Sequence, residues 1–74
     1  MNVYNAKDVG KRIQEKRKSM KMSQGVLAEE IDISTKYMGI IEQGKQTMSV
    51  EILFNIAEKL NSSADYLLCR EKHK

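Results

Sequence analysis

The chain has 74 residues, enough for one small domain with a modest core. Apolar residues make up 41% and charged residues 31%, a balance that fits a folded globule and argues against disorder. No run approaches the ~20 apolar residues of a membrane helix. Residues 1–20 are too polar for a signal peptide, and one cysteine cannot make an internal disulfide, so a cytoplasmic location is the expectation.

Net charge is +3, unevenly spread. Between residues 7 and 21, Lys7, Lys11, Arg12, Lys16, Arg17, Lys18 and Lys21 stand against Asp8 and Glu15, a local balance of +5. Such clustering suits an anionic partner such as nucleic acid. Taken alone it better suits a solvated helix face.

Helical periodicity predicts five segments and no strand. The first covers about 6–20, with Val9, Ile13 and Met20 facing inward. Ser23 caps a second at about 24–31, with Val26, Leu27 and Ile31 as its inward stripe. Ser34 caps a third at about 35–43, with Met38 and Ile41 inward and Gly44 as the stop. Ser49 caps a fourth at about 50–60, where Ile52, Leu53, Ile56, Ala57 and Leu60 recur at helical steps before Asn61 ends it. Ser63 caps a short last segment, 64–68. The expected domain spans 6–69, followed by a charged tail over 70–74. Short connections imply a compact all-α five-helix bundle. The brief turn at Asp32–Ile33 forces the second and third helices to cross steeply, with Ile33 as a core plug. Residues 23–44 thus read as a helix-turn-helix, whose second helix can lie in a DNA major groove.

With Ile41 at the centre of the buried face, a 100° advance puts Thr35, Lys36, Gly39, Ile40 and Gln43 on the outer half of that helix and Tyr37 at its flank. Little there serves solubility. A mid-helix glycine costs ~1 kcal/mol relative to alanine. An exposed isoleucine gains nothing from water. Both suit a surface that docks: glycine permits close approach, and an aliphatic group packs on a thymine methyl. Gln24 opens the second helix, where free backbone N–H groups favour an anion, and Lys45 follows the third. In sequence they bracket the reading helix as candidate phosphate anchors.

Met22-Ser23-Gln24, Leu27-Ala28, Ile33-Ser34, Tyr37-Met38, Ile41-Glu42-Gln43-Gly44-Lys45, Ile56-Ala57, Leu60, Asp65 and Leu67-Leu68 together resemble the Cro/phage-repressor (Xre) helix-turn-helix family over about residues 8–69. The resemblance implies a phage-repressor-like bundle whose third helix enters the major groove. It implies DNA contacts at Gln24, Thr35, Lys36, Tyr37, Ile40 and Gln43, with phosphate contacts near Gly44 and Lys45. The full candidate DNA-binding set is Gln24, Ser34, Thr35, Lys36, Tyr37, Gly39, Ile40, Gln43 and Lys45. The resemblance also implies a structural ion pair between Arg17 and Glu42. The chain departs from the family pattern at Asp32 for the turn glycine, Gly39 for a frequent serine, Met48 for a frequent proline and Ser62 for a frequent apolar residue. Gly25 lowers the helix propensity of the second segment.

Other chemistry is set aside. Residues 39–45 imitate a P-loop but continue with Gln46 where a magnesium-binding hydroxyl belongs, and no strand precedes them. Cys69 and His73 are too few for zinc. Glu29 and Glu30 diverge by 100° on their helix. A membrane role for residues 7–21 has too thin an apolar stripe. No catalytic residue, metal, cofactor or small-molecule ligand is expected. The leading reading is a bacterial or phage-encoded transcriptional regulator, a repressor, that binds double-stranded DNA. One copy reads only about 4–5 base pairs, so a homodimer on a palindromic operator is expected. Its interface is placed at 61–69, with Tyr66, Leu68 and Cys69 as candidates. The alternative is a protein-interaction module of the same fold, an antitoxin or anti-repressor partner, presenting Tyr37, Ile40 and Met48.

Overall fold

A computed structural model describes residues 5–68. It contains α1 (Ala6–Ser19), α2 (Gln24–Glu30), α3 (Thr35–Glu42), α4 (Val50–Lys59) and α5 (Ala64–Leu68), with no strand among the described residues. The architecture is an all-α five-helix bundle. The charged tail and Cys69 lie outside the described residues.

Each helix begins on a side-chain cap. The Ser23, Ser34, Ser49 and Ser63 hydroxyls accept the N–H groups of Val26, Tyr37, Ile52 and Tyr66 at 2.9–3.1 Å. Asn5 caps α1 by accepting from the N–H groups of Lys7 and Asp8. The sequence pattern did not single it out.

The first four helices all end in one way. Lys21, Asp32, Gly44 and Asn61 take positive φ between 56° and 75°. Their N–H groups donate back to Lys18, Glu29, Ile41 and Glu58, and the following N–H groups donate to Arg17, Ala28, Ile40 and Ala57. This two-bond closure is the Schellman motif. Asp32, Gly44 and Asn61 are residue types suited to that conformation. Lys21 is not, and it is held there by the same pair of backbone bonds.

Val9, Ile13, Leu27, Met38, Ile41, Ile56, Leu60 and Leu67 form the fully buried centre, with Ala28, Ile31, Leu53 and Ala57 around it. Ile33 packs against this cluster from the turn, as a plug should. Two expected inward residues point out: Val26 is 47% exposed and Met20, the cap residue of α1, is 39% exposed. Leu27 and Ala28 are the buried pair of α2, so its inner face is turned about one residue from the expected stripe.

α3 sits in the middle, packed on both α1 and α2, while α5 closes against α1 and α4. Two glycines allow α1 and α3 to meet. A Cβ at Gly10 would lie 2.4 Å from the Ile41 carbonyl oxygen and 2.5 Å from that of Glu42. A Cβ at Gly44 would lie 2.4 Å from the Lys7 Cα. Gly10→Ala should therefore destabilise the fold by about 1–2 kcal/mol, since overpacking outweighs the gain in helix propensity. A lower urea midpoint at unchanged slope would show it.

Candidate nucleic-acid interface

The site is built around a buried ion pair. Arg17 Nε donates to Glu42 Oε2 at 2.7 Å, and Nη2 donates to Oε1 at 3.0 Å. The side chains are only 8% and 1% exposed. Arg17 Nη1 donates to the Met22 carbonyl at 2.8 Å, and the Met22 N–H returns to the Arg17 carbonyl. Gln24 Nε2 donates to Glu42 Oε1 at 2.9 Å. One carboxylate thus ties the end of α1, the start of α2 and the end of α3. The fork-to-fork geometry satisfies both carboxylate oxygens, which makes burial of the charges tolerable.

This knot fixes which side of α3 looks out. Met38, Ile41 and Glu42 are buried. Ser34, Thr35, Lys36 and Gln43 are exposed, and Lys45 is exposed just beyond the helix. Tyr37, Gly39 and Ile40 are half-buried. Tyr37 packs against the core. Ile40 is therefore a partly sheltered residue rather than the fully exposed one that periodicity suggests. Ser34, which the periodicity puts on the Met38 side, is exposed as the helix cap.

Gln24 is placed differently from what chain order suggests. Its carboxamide lies beside Gly39, within 3.7–4.0 Å of where a Cβ would stand, and bonds to Glu42 at the end of α3. Gln24 and Lys45 hence do not bracket α3 at opposite ends. Thr35, at the other end of α3, also lies near α2, its hydroxyl 3.6 Å from a Cβ placed on Gly25. The Gln24–Glu42 bond spans 18 residues and no local pattern announces it.

Gly39 differs from Gly10 and Gly44. A Cβ there would meet only ordinary contacts with Gln24, so nothing inside the fold requires glycine. Gly10 carries its own sequence signal, since a glycine between Val9 and Ile13 in a helix interior is a sign of close helix approach.

Among the described residues, no group of three or more His, Cys, Asp or Glu side chains is arranged to hold a metal ion. No helix among them is long and apolar enough to cross a membrane.

Removing one partner of the ion pair leaves the other charge buried alone. Arg17→Met is expected to cost about 3–5 kcal/mol, and adding Glu42→Leu to recover part of that loss, since a buried pair replaced as a unit costs less. Chemical denaturation of both single variants and the double variant gives the coupling directly. Additive losses would show that the two charges do not act as a unit.

Among solved structures, the chain resembles the P22 c2 repressor in complex with a synthetic operator, at 28% identity, 85% coverage of this chain, 96% of the other and a TM-score of 0.80. It also resembles the restriction-modification controller protein C.AhdI from Aeromonas hydrophila, at 26% identity, 84% and 94% coverage and a TM-score of 0.79. SinR, described as the master regulator for biofilm formation and solved in complex with DNA, is 31% identical over 81% of this chain and 97% of its own, with a TM-score of 0.76. No curated protein sequence matches the chain. A helix-turn-helix family model matches residues 13–67. With the capped α2–turn–α3 unit and its exposed second helix, that match shows that the chain belongs to the Xre/Cro-type helix-turn-helix family of DNA-binding transcription regulators.

Proposed function

We propose that the chain binds duplex DNA sequence-specifically by laying the outer face of α3 in the major groove, and that it acts as a repressor. The observation that carries this reading is the division of α3 into two faces. Met38, Ile41 and Glu42 are locked inside, while Thr35, Lys36 and Gln43 stand free on the outside. In the proposed complex Thr35 and Gln43 offer hydrogen-bonding groups to base edges, and Lys36 offers an ammonium to guanine or to a phosphate. Ser34 and Tyr37 border that face, and Ile40 supplies apolar contact to a thymine methyl. Gly39 permits close approach. Lys45 neutralises a phosphate, which positions the protein without reading sequence.

Gln24 has a narrower role in this proposal than a free donor would have. Glu42 already takes one hydrogen from its Nε2. The carboxamide keeps one N–H and its carbonyl for DNA. Likeness to the P22 c2 repressor bound to an operator and to SinR bound to DNA supports the assignment.

The domain proper is taken as 6–69, with 70–74 as a tail. A homodimer on a palindromic operator, in the cytoplasm of a bacterium, completes the proposal. Tyr66 is 43% exposed on α5 and fits an interface there. Leu68 is partly buried against the core and has less to offer. Non-enzymatic action is part of the same reading.

A second reading has its own support. The chain is 31% identical to a SinR–SinI protein complex structure over 81% of its length and 59% of that chain, so the fold also occurs within a protein–protein assembly. Tyr37, Ile40 and Met48, all half-buried, would supply the contact surface.

Selection of bound sites from a random duplex library separates the two. Under the DNA reading the parent enriches one motif, and Thr35→Ala and Lys36→Ala each relax it at particular positions, by about 1–3 kcal/mol of discrimination. Unchanged preferences in both variants would remove α3 as the reading element. Absence of salt-dependent retention on DNA would favour the protein-binding module. Gly39→Ala should raise stability by about 0.5–1 kcal/mol through helix propensity while weakening operator affinity. Thermal melts paired with DNA titrations report both signs. A stabilised variant with undiminished affinity would show that close approach at residue 39 is not used.

A further inference from the structure

We propose that Lys7, on the first turn of α1, is a DNA-phosphate contact that acts together with Lys45 across Gly44. It rests on the duplex-DNA reading above and extends the contact surface to a helix to which that reading assigns nothing.

The first observation is adjacency. Gly44 has φ +75°, and a Cβ there would stand 2.4 Å from the Lys7 Cα and 2.8 Å from its backbone nitrogen. The start of α1 therefore rests directly on the turn that follows α3. Lys45 is the next residue along that turn. Two long cationic side chains leave the backbone from neighbouring points, beside Gln43 at the end of the reading helix.

The second observation is that both lysines are exposed. Neither Lys7 nor Lys45 takes part in the Arg17–Glu42 or the Lys59–Glu30 ion pair.

The third is the place of Lys7 in its helix. α1 begins at Ala6, and the helix dipole places partial positive charge on its first turn. A cation there is disfavoured by the helix itself. Asn5 accepts the backbone N–H groups of Lys7 and Asp8, and the Asp8 carboxylate suits the position. The Lys7 ammonium does not. Lys45, just beyond the end of α3, sits where a cation is favoured and needs no outside reason. Lys7 is the member of the pair whose charge the fold does not use.

The ligand class is the non-bridging oxygens of duplex DNA phosphates. The contact would neutralise backbone charge and carry no base information, so it should show in salt dependence and not in sequence preference.

The test compares Lys7→Gln with Lys18→Gln in the full chain, on the selected duplex and on a scrambled one. Lys18 is exposed, carries the same charge and lies 11 helical residues away, roughly 16 Å along α1, beyond a Debye length of ~8 Å at physiological salt. Lys7→Gln should weaken binding to both duplexes by about fivefold near physiological salt and flatten the salt slope by ~1. Lys18→Gln should leave the slope unchanged. An unaltered melting curve for Lys7→Gln excludes misfolding as the cause.

Equal effects from the two variants would overturn the proposal, because only net charge would then matter. So would a change in base preference with Lys7→Gln. If the parent shows no salt-dependent affinity for duplex DNA, both the contact and the DNA reading fall. If Thr35→Ala and Lys36→Ala leave specificity intact while Lys7→Gln still flattens the slope, only the role of α3 falls and the phosphate contact stands.

Discussion

A guanidinium and a carboxylate taken out of water must satisfy each other or unfold the protein around them. The Arg17–Glu42 pair meets that condition by a two-pronged contact, with Met22 and Gln24 using the remaining capacity. Arg17, Gln24 and Glu42 stand on α1, α2 and α3 respectively. The condition can therefore be met only when α1, α2 and α3 stand in one mutual arrangement. An apolar core of similar volume tolerates sliding and repacking more easily than a directional network does. In a chain this small, with one modest core, that directional constraint decides the orientation of the central helix. The orientation of α3 in turn decides which residues reach solvent.

Much of this frame is legible in sequence because its instructions are local. Serine caps and the turn-forming Asp32, Gly44 and Asn61 mark helix limits to within a residue or so. Lys21 escaped because lysine has no intrinsic preference for the left-handed conformation it adopts. Its carbonyl-seeking N–H and that of Met22 close α1 all the same. Val26 was misplaced because α2 has only seven residues. Over so short a span, a Val26–Leu27–Ile31 stripe and a Leu27–Ala28–Ile31 stripe differ by a small rotation. Only contact with neighbouring helices chooses between them.

The outer face of α3 was legible in outline and its supports were not. Thr35, Lys36 and Gln43 follow from helical periodicity once Ile41 is set inward, and their exposure agrees. Ile40 does not follow in full, since shelter from neighbouring groups is invisible to a helical wheel. The pairing of Arg17 with Glu42 came from family resemblance, because 25 residues separate the partners. The bond from Gln24 to Glu42 had no sequence signal at all. What is missing in each case is the same kind of information: which distant residue supplies the other half of a polar contact. Glycines show the contrast well. Gly10 and Gly44 are demanded by backbone packed within van der Waals distance, whereas Gly39 meets nothing inside the protein that would refuse a methyl group. Nothing inside the fold calls for glycine there.

The repeated closure at the ends of the first four helices has a consequence for how such a domain changes over time. Each stop is written within six residues and uses backbone groups almost entirely. The frame is thus specified by short, separate passages plus one long-range polar knot, and none of their bonds uses the side chain of Thr35, Lys36 or Gln43. Substitutions at those three positions change the outer face of α3 and leave those bonds in place. Under the proposed reading, binding preference can therefore change one residue at a time on an unchanged scaffold.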